Sequence, residues 1–310
     1  MKTDLTSGLI SRFDRLAGTR ATWETHWQEV ADYMLPRKAD ITKRRARGDK
    51  RMERIFDSSP LQALELLASS LHGMLTNPST PWFTLRFKQL ESLNDDEAKL
   101  WLEEATEVMY TAFNRSNFQQ EIFELYHDLI TFGTAAMFVE EDEEDLIKFS
   151  TRHIDEVYVA ENEKGKIDTI FRKFHMTSRA LVQKFGNNVS QDIQTSVKKN
   201  PYEEIQIIHA VYPRNEFNPK KKDKANMPFE SVYFEYKNGN ELSVSGFKEF
   251  PFVVPRYLKA SHEVYGRSPA MTALPDVKML NEMSKVTIKA AQKQVDPPLL
   301  VPDDGFLLPV

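Results

Sequence analysis

His262 and Glu263 open an HExxH spacing, which on a helix sets two imidazoles around a zinc ion, but position 266 is glycine and the second ligand is missing. Ser196 and Lys199 have the SxxK spacing of an acyl-transfer nucleophile and its base, without the partner motifs that complete such a site. There is no GxSxG elbow, and with 11 glycines the chain has neither a P-loop nor a GxGxxG loop to cradle phosphates. The seven histidines, at 26, 72, 127, 153, 175, 209 and 262, are scattered, and lone residues carry no mechanism. The expectation is therefore no catalytic site, no metal and no cofactor.

Three charged stretches offer binding chemistry instead. Residues 37–54 hold nine Lys or Arg against three acidic residues, with Arg44, Arg45 and Arg47 at the centre. Such a run contacts DNA or an acidic neighbour, or else stays a solvated loop. Glu140 to Asp145 is a run of six carboxylates. It lacks the alternating ligands and central glycine of a calcium loop, so it reads as a hairpin tip. Glu141, Glu143 and Glu144 are then available to basic loops on a neighbouring subunit. Finally, Lys278, Lys285, Lys289 and Lys293 fall in a narrow stripe at 100° per residue.

Composition sets the outer bounds. The chain has 310 residues, room for two domains or one elaborated one, and a net charge of −5 that excludes a globally basic nucleic-acid binder. The absence of cysteine rules out disulfides and thiolate metal sites and fits assembly in a reducing cytoplasm. No apolar run approaches the ~20 residues that cross a bilayer, so no membrane contact is expected.

The elements that must position these residues are legible from periodicity. Leu5, Leu9, Phe13 and Leu16 predict one helix, and Trp23, Trp27, Val30, Ala31 and Met34 a second, with a break at Gly18–Thr19 and a stop at Pro36. Ser58 or Ser59 with Pro60 opens a helix that ends at Asn77 and Pro78, and PWFTLRF reads as a short strand. Asn94 caps a helix to Phe113, and another runs from Phe118 to Gly133. Ala135 to Val139 and Leu146 to Ser150 are strands flanking the acid run. Strands then dominate 151–259: VYVAEN, KIDTIFRKFHM, EEIQIIHAVYP, ESVYFEYKNGNELSVSGF and FPFVVPRYLK, turning at Lys164–Gly165 and Asn238–Gly239. Short helices at Ser178 to Phe185 and near Asp192 to Lys198 interrupt them.

The last element is the most distinctive. Ser268 and Pro269 form a helix entrance, Pro275 restarts or kinks the helix, and nothing breaks it until Pro297 and Pro298. The twenty residues after Pro275 make a rod of roughly 30 Å. Val277, Leu280, Met283, Ile288, Ala290 and Ala291 share one broad face. If the rod were only filler, its own chain would cover that face. The fold class is α+β: N-terminal helices, a mixed, mostly antiparallel sheet region, then the long helix.

VYGRSPAMTALPDVKMLNEM and KAAQKQVDPPLLVPDDG, with the Leu9 to Phe83 run and FGTAAMFVEED, resemble the head-to-tail connector (portal) proteins of short-tailed, T7-like bacteriophages. The resemblance covers nearly the whole chain and implies a division into a wing-like α+β domain at 1–265, a first stem helix at 266–295, and the start of the clip at 296–310. It further implies a homo-oligomeric, twelvefold ring that conducts double-stranded DNA. The implied partners are terminase, capsid and tail adaptor proteins, and the implied place is the portal vertex of the virion, after assembly in the host cytoplasm. Family members continue past residue 310, through the rest of the clip, a second stem helix, a tunnel loop and a crown, so the chain is expected to be a truncated product, a prophage remnant or a fragment.

Two further expectations follow from that resemblance. A ring closes through heterologous contacts, for which the Arg44–Arg47 loop and the Glu140–Asp145 tip supply opposite charges. Lys285, Lys289 and Lys293 on each of twelve stems present about 36 cations to the roughly 18 phosphates of a ~30 Å duplex, at one charge per ~1.7 Å. If all faced inward they would hold DNA rather than let it slide, so some are expected to pair with acids. The alternative reading is a DNA-binding or processing protein that uses the 37–54 loop. A third, a hydrolase built on the acidic run, requires a cleft that gathers those carboxylates.

Overall fold

A computed structural model describes residues 4–46, 48–87, 96–218, 220–221 and 223–297. The two N-terminal stripes belong to one continuous helix, α1 (Asp4–Met34), so the break expected at Gly18–Thr19 does not occur. Glycine inside a helix costs only about 1 kcal/mol, and both flanks of α1 are held by packing. Leu9 and Phe13 are buried in one core, and Trp27, Val30 and Ala31 in another. Thr19 stays helical, donating its hydroxyl to Leu16 O at 2.9 Å.

α2 (Ser59–Leu75) begins as expected, with Pro60 in its first turn. Asp57 Oδ1 accepts from the backbone and hydroxyl of Ser59 at 2.9 and 2.7 Å. PWFTLRF is not a strand. Tyr110 on α3 (Asp96–Arg115) stands in for the missing sheet partner: its hydroxyl accepts from Trp82 N and Phe83 N, both at 2.6 Å, and donates to Phe83 O at 2.9 Å. The Asn94 cap falls outside the described residues. α4 (Phe118–Phe132) ends at Gly133, whose φ of +75° supplies the left-handed cap that glycine tolerates best.

Among the described residues eight strands follow in two sheets. β1 (Ala136–Asp142) and β2 (Leu146–Arg152) form the acidic hairpin, and β8 (Phe252–Val253) adds to β1, giving the order β2-β1-β8. The second sheet runs in sequence order through β3 (Val157–Glu161), β4 (Ile167–Thr177), β5 (Glu204–Pro213), β6 (Phe229–Glu235) and β7 (Glu241–Phe247). The paired neighbours in both sheets are antiparallel. Of FPFVVPRYLK only Phe252 and Val253 form a strand, because Pro251 and Pro255 cannot donate to a ladder. α5 (Ser178–Phe185) and α6 (Gln191–Lys199) sit between β4 and β5 in the chain, at the predicted places. The architecture is α+β.

Period-two alternation divides the five-stranded sheet into two faces. Phe171, Ala210 and Val232 pack against Leu9 and Phe13 of α1. Arg172, His209 and Tyr233 occupy the opposite face, where the His209 ring lies 5.9 Å from Phe138 of the smaller sheet. The last described element is the 27-residue helix α7 (Pro269–Val295), which runs through Pro275 without interruption.

Candidate functional site

α7 is built as a rod held at one end. Ser268 starts it, its hydroxyl accepting from Met271 N at 3.0 Å and donating to Thr131 O of α4 at 2.8 Å. The preceding residues grip the end of α4 closely: Gly266 N donates to Thr134 Oγ1 at 2.7 Å, and a Cβ on Gly133 would lie 2.3 Å from Gly266 O. Tyr265 is buried beside Trp23 and Trp27, ring centroids 5.9 and 5.1 Å away. From this root Ala270, Met271, Leu274, Val277 and Asn281 form the buried stripe.

Among the described residues Asn281 makes the last hydrogen bonds from α7 to another segment. Its Oδ1 accepts from Phe56 N at 2.7 Å and Asp57 N at 3.3 Å, while its Nδ2 donates to Arg54 O at 2.9 Å. Beyond it residues 286–297 are all exposed. The apolar face foreseen for the rod is largely uncovered: of its members only Val277 is buried, while Leu280 and Ile288 lie open and Met283 is 58% exposed. The bare helical tip, residues 286–295, extends for about 15 Å.

The lysine stripe divides along the same boundary. Lys278 reaches Glu29 of α1 at 2.5 Å, which holds its ammonium above the ordinary range, and Lys285 pairs with Glu282 at 2.9 Å. Among the described residues Lys289 and Lys293 have no ion-pair partner, and both are exposed on the bare tip.

The basic segment is occupied by its own chain. Arg37 and Lys38 meet Glu124 at 3.1 and 2.6 Å, and Lys38 also reaches the buried Asp128 at 2.6 Å. Arg45 lies 3.4 Å from Asp32, Arg51 2.5 Å from Asp40, and Arg44 3.7 Å from Glu204. Arg44 also touches His175 Nδ1. Burial, and then Arg44, hold that imidazole below its usual range, in the neutral form that accepts from a guanidinium. Arg47 lies outside the described residues. At the acidic tip Asp142 Oδ2 accepts from Glu144 N and Asp145 N at 3.2 and 3.1 Å. Glu141, Glu143 and Glu144 are exposed and, among the described residues, have no cation within 4 Å. Of this run Glu140 lines a cavity, while residues 141–145 line none of those found among the described residues.

The enzyme-like fragments stay apart. His262 is exposed, Glu263 is engaged by Arg267, whose Nε donates at 2.9 Å, and no metal-holding cluster occurs among the described residues. No described helix is long and apolar enough to cross a membrane. The sequence reading missed Asn281, although a polar residue four positions after buried Val277 is the signal of a side chain used inward. Asn281→Ala should release the basic segment. Limited trypsin digestion is expected to cut between residues 43 and 54 up to about a hundredfold faster, since three hydrogen bonds of about 1 kcal/mol each are lost; unchanged cleavage would show that the ion pairs alone hold it.

Comparison with known proteins gives a consistent picture. Residues 6–309 match the family described as bacteriophage head to tail connecting protein. Similar proteins include a "Probable portal protein" of Bordetella phage BPP-1, 33% identical over 299 residues, which covers 95% of this chain and 54% of the relative. Another is a "Portal protein" of Salmonella phage epsilon15, 34% identical over 300 residues with the same two coverages. The chain thus spans about half the length of these relatives.

Proposed function

The chain belongs to the bacteriophage head-to-tail connecting proteins, and from that premise we propose that it is a structural, non-catalytic subunit of a portal ring. In this reading residues 1–265 are the wing-like body, 266–295 the first stem helix, and 296–310 the entry to the clip. The ring is twelvefold, stands at the portal vertex of the virion after assembly in the host cytoplasm, passes double-stranded DNA, and meets terminase, capsid and tail adaptor. The observation that carries the proposal is the outer half of α7. A helix that leaves Met283 58% and Val295 88% exposed has its apolar partner on another polypeptide segment. Copies related by a closed rotation supply one through head-to-tail contacts.

Mass measurement and electron microscopy of the purified protein test this. Rings of about twelve times the 35.9 kDa chain mass are expected. Val286→Glu, on the exposed tip, should abolish them while shifting chain stability by less than about 0.5 kcal/mol. Particles that stay monomeric at every concentration would overturn the proposal.

Within such a ring Lys289 and Lys293 are the channel-facing candidates, because Lys278 and Lys285 already have carboxylate partners. Two unpaired cations per subunit hold DNA less tightly than three would, as sliding requires. Lys289→Gln with Lys293→Gln should shorten genome retention and flatten its salt dependence, with less effect from Lys285→Gln. Normal packaged length and retention would make the stripe a solvated face. The charge contact between neighbours remains part of the proposal: Glu141, Glu143 and Glu144 offer free carboxylates, whereas Arg44 and Arg45 must exchange their own-chain partners to meet them. That same pairing weighs against the alternative of DNA binding through 37–54.

A further inference from the structure

A cavity of about 170 Å³ lies at the seam where the two sheets face each other. Phe138, Glu140 and Arg152 line it from the smaller sheet, Arg172 and Tyr233 from the larger, and Lys184 from α5. The register explains why these residues meet. Ala136 pairs with Arg152, and Phe138 and Glu140 follow at even spacing on that face. Arg172, His209 and Tyr233 stand opposite one another across β4, β5 and β6.

The charges there do not balance. Arg172 is neutralised by Glu156 at 2.7 Å, and Glu140 is shared with Lys148 at 4.0 Å. Arg152 and Lys184 have no carboxylate within 4 Å among the described residues, and Arg152 Nε is buried without a hydrogen-bond partner. Burial lowers the pKa of both cations. His209 adds no charge: burial drives its imidazole well below the ordinary range, its Nε2 meets Ser231 Oγ at 2.9 Å, and its ring stacks on Tyr233 at 3.9 Å. A half-buried guanidinium that feels Glu156 and Glu140 only at longer range, with no carboxylate in direct contact, is costly, and a bound anion with several oxygens would resolve it.

We propose that this seam is an oxyanion site that takes a phosphate group between Arg152, Lys184 and Arg172, with the Tyr233 hydroxyl as a further donor. At about 30 Å³ per water the cavity holds about five waters, which is room for one tetrahedral anion. The planar fork of Arg152 suits two phosphate oxygens, and Lys184 closes the rim as a point charge. None of the residues lining the cavity belongs to α7.

Titration of the intact chain with inorganic phosphate at fixed ionic strength, read by calorimetry and thermal unfolding, tests the assignment against acetate and short duplex DNA. Saturable stabilisation by phosphate beyond that of acetate is expected. Arg152→Gln and Lys184→Gln should each weaken binding roughly tenfold or more, as the loss of a charge-assisted hydrogen bond does. In phosphate-free buffer Arg152→Gln should unfold no earlier than the native chain, because an unpaired charge has gone. Lys184→Gln, at an exposed position of α5, keeps the test valid if the Arg152 variant folds poorly. Equal stabilisation by DNA and inorganic phosphate would assign nucleic-acid phosphates to the same cavity. A response to DNA alone, a phosphate response no larger than that of acetate, or one unchanged in both variants would overturn the proposal.

Discussion

Arg20→Ala is expected to lower the unfolding free energy by roughly 3–5 kcal/mol, measured as a fall in the urea midpoint at unchanged slope. The side chain is 1% exposed, yet it is a cation. Its guanidinium donates to three backbone carbonyls, Ile154 O at 2.9 Å, Val157 O at 2.5 Å and Asp155 O at 2.7 Å, and to Glu24 Oε1 at 2.9 Å. It also lies 3.7 Å over the Tyr158 ring. Two of the carbonyls belong to the turn joining β2 to β3 and the third to the first residue of β3, where the chain crosses from one sheet to the other. Alanine would leave those acceptors buried and unsatisfied as well as opening a cavity. Arg20→Lys should recover less than half of the loss, because one ammonium cannot reproduce a planar fork. A loss below about 1 kcal/mol for alanine would mean that water replaces the guanidinium at no cost.

Gly133→Ala is expected to cost about 3 kcal/mol or more, for two reasons that add. The residue has φ of +75°, where an L side chain is disfavoured by about 1–2 kcal/mol. Its new Cβ would also stand 2.3 Å from Gly266 O, a backbone atom that cannot rotate away. Gly266→Ala isolates the second cause, since its Cβ would meet Gly133 O at 2.3 Å without the same backbone strain. The double variant should lose less than the sum, because both methyls compete for one gap. Gly18→Ala is the control: nothing lies within 4 Å of the new methyl, and α1 should gain about 0.5–1 kcal/mol. Thermal unfolding of the four variants separates close approach from helix propensity, and equal losses at positions 18 and 133 would contradict the crossing.

These two sites differ in how far the sequence disclosed them. Gly133 was readable as a helix stop, because an apolar period ended there, and the structure agrees. Its contact with Gly266 was not readable, since it joins residues 133 positions apart. Arg20 gave no local signal at all: one arginine in a helix resembles any surface arginine until a distant turn needs donors. The false break at Gly18–Thr19 and the false strand at PWFTLRF have related causes. In the first, tertiary burial on both flanks outweighed a weak helix residue. In the second, β-forming residues found the hydroxyl of Tyr110 instead of a neighbouring strand. The α7 helix was legible in its limits because its cap and its terminating prolines are local. Which part of its apolar face its own chain covers was not, because that depends on where the body ends. The lysines were visible as a stripe, and the Lys285–Glu282 pair lies within local reach, but the pairing of Lys278 depended on Glu29, far away in α1.

α1 carries a mechanical consequence. It is a single beam whose two ends are cemented into different cores, Phe13 in one and Trp27 in the other, with Arg20 riveted to the crossing between the sheets. A hinge between those halves would have to bend the beam or shear the rivet. Any load applied to the body would therefore be carried along α1, and compliance is left to the unsupported tip of α7.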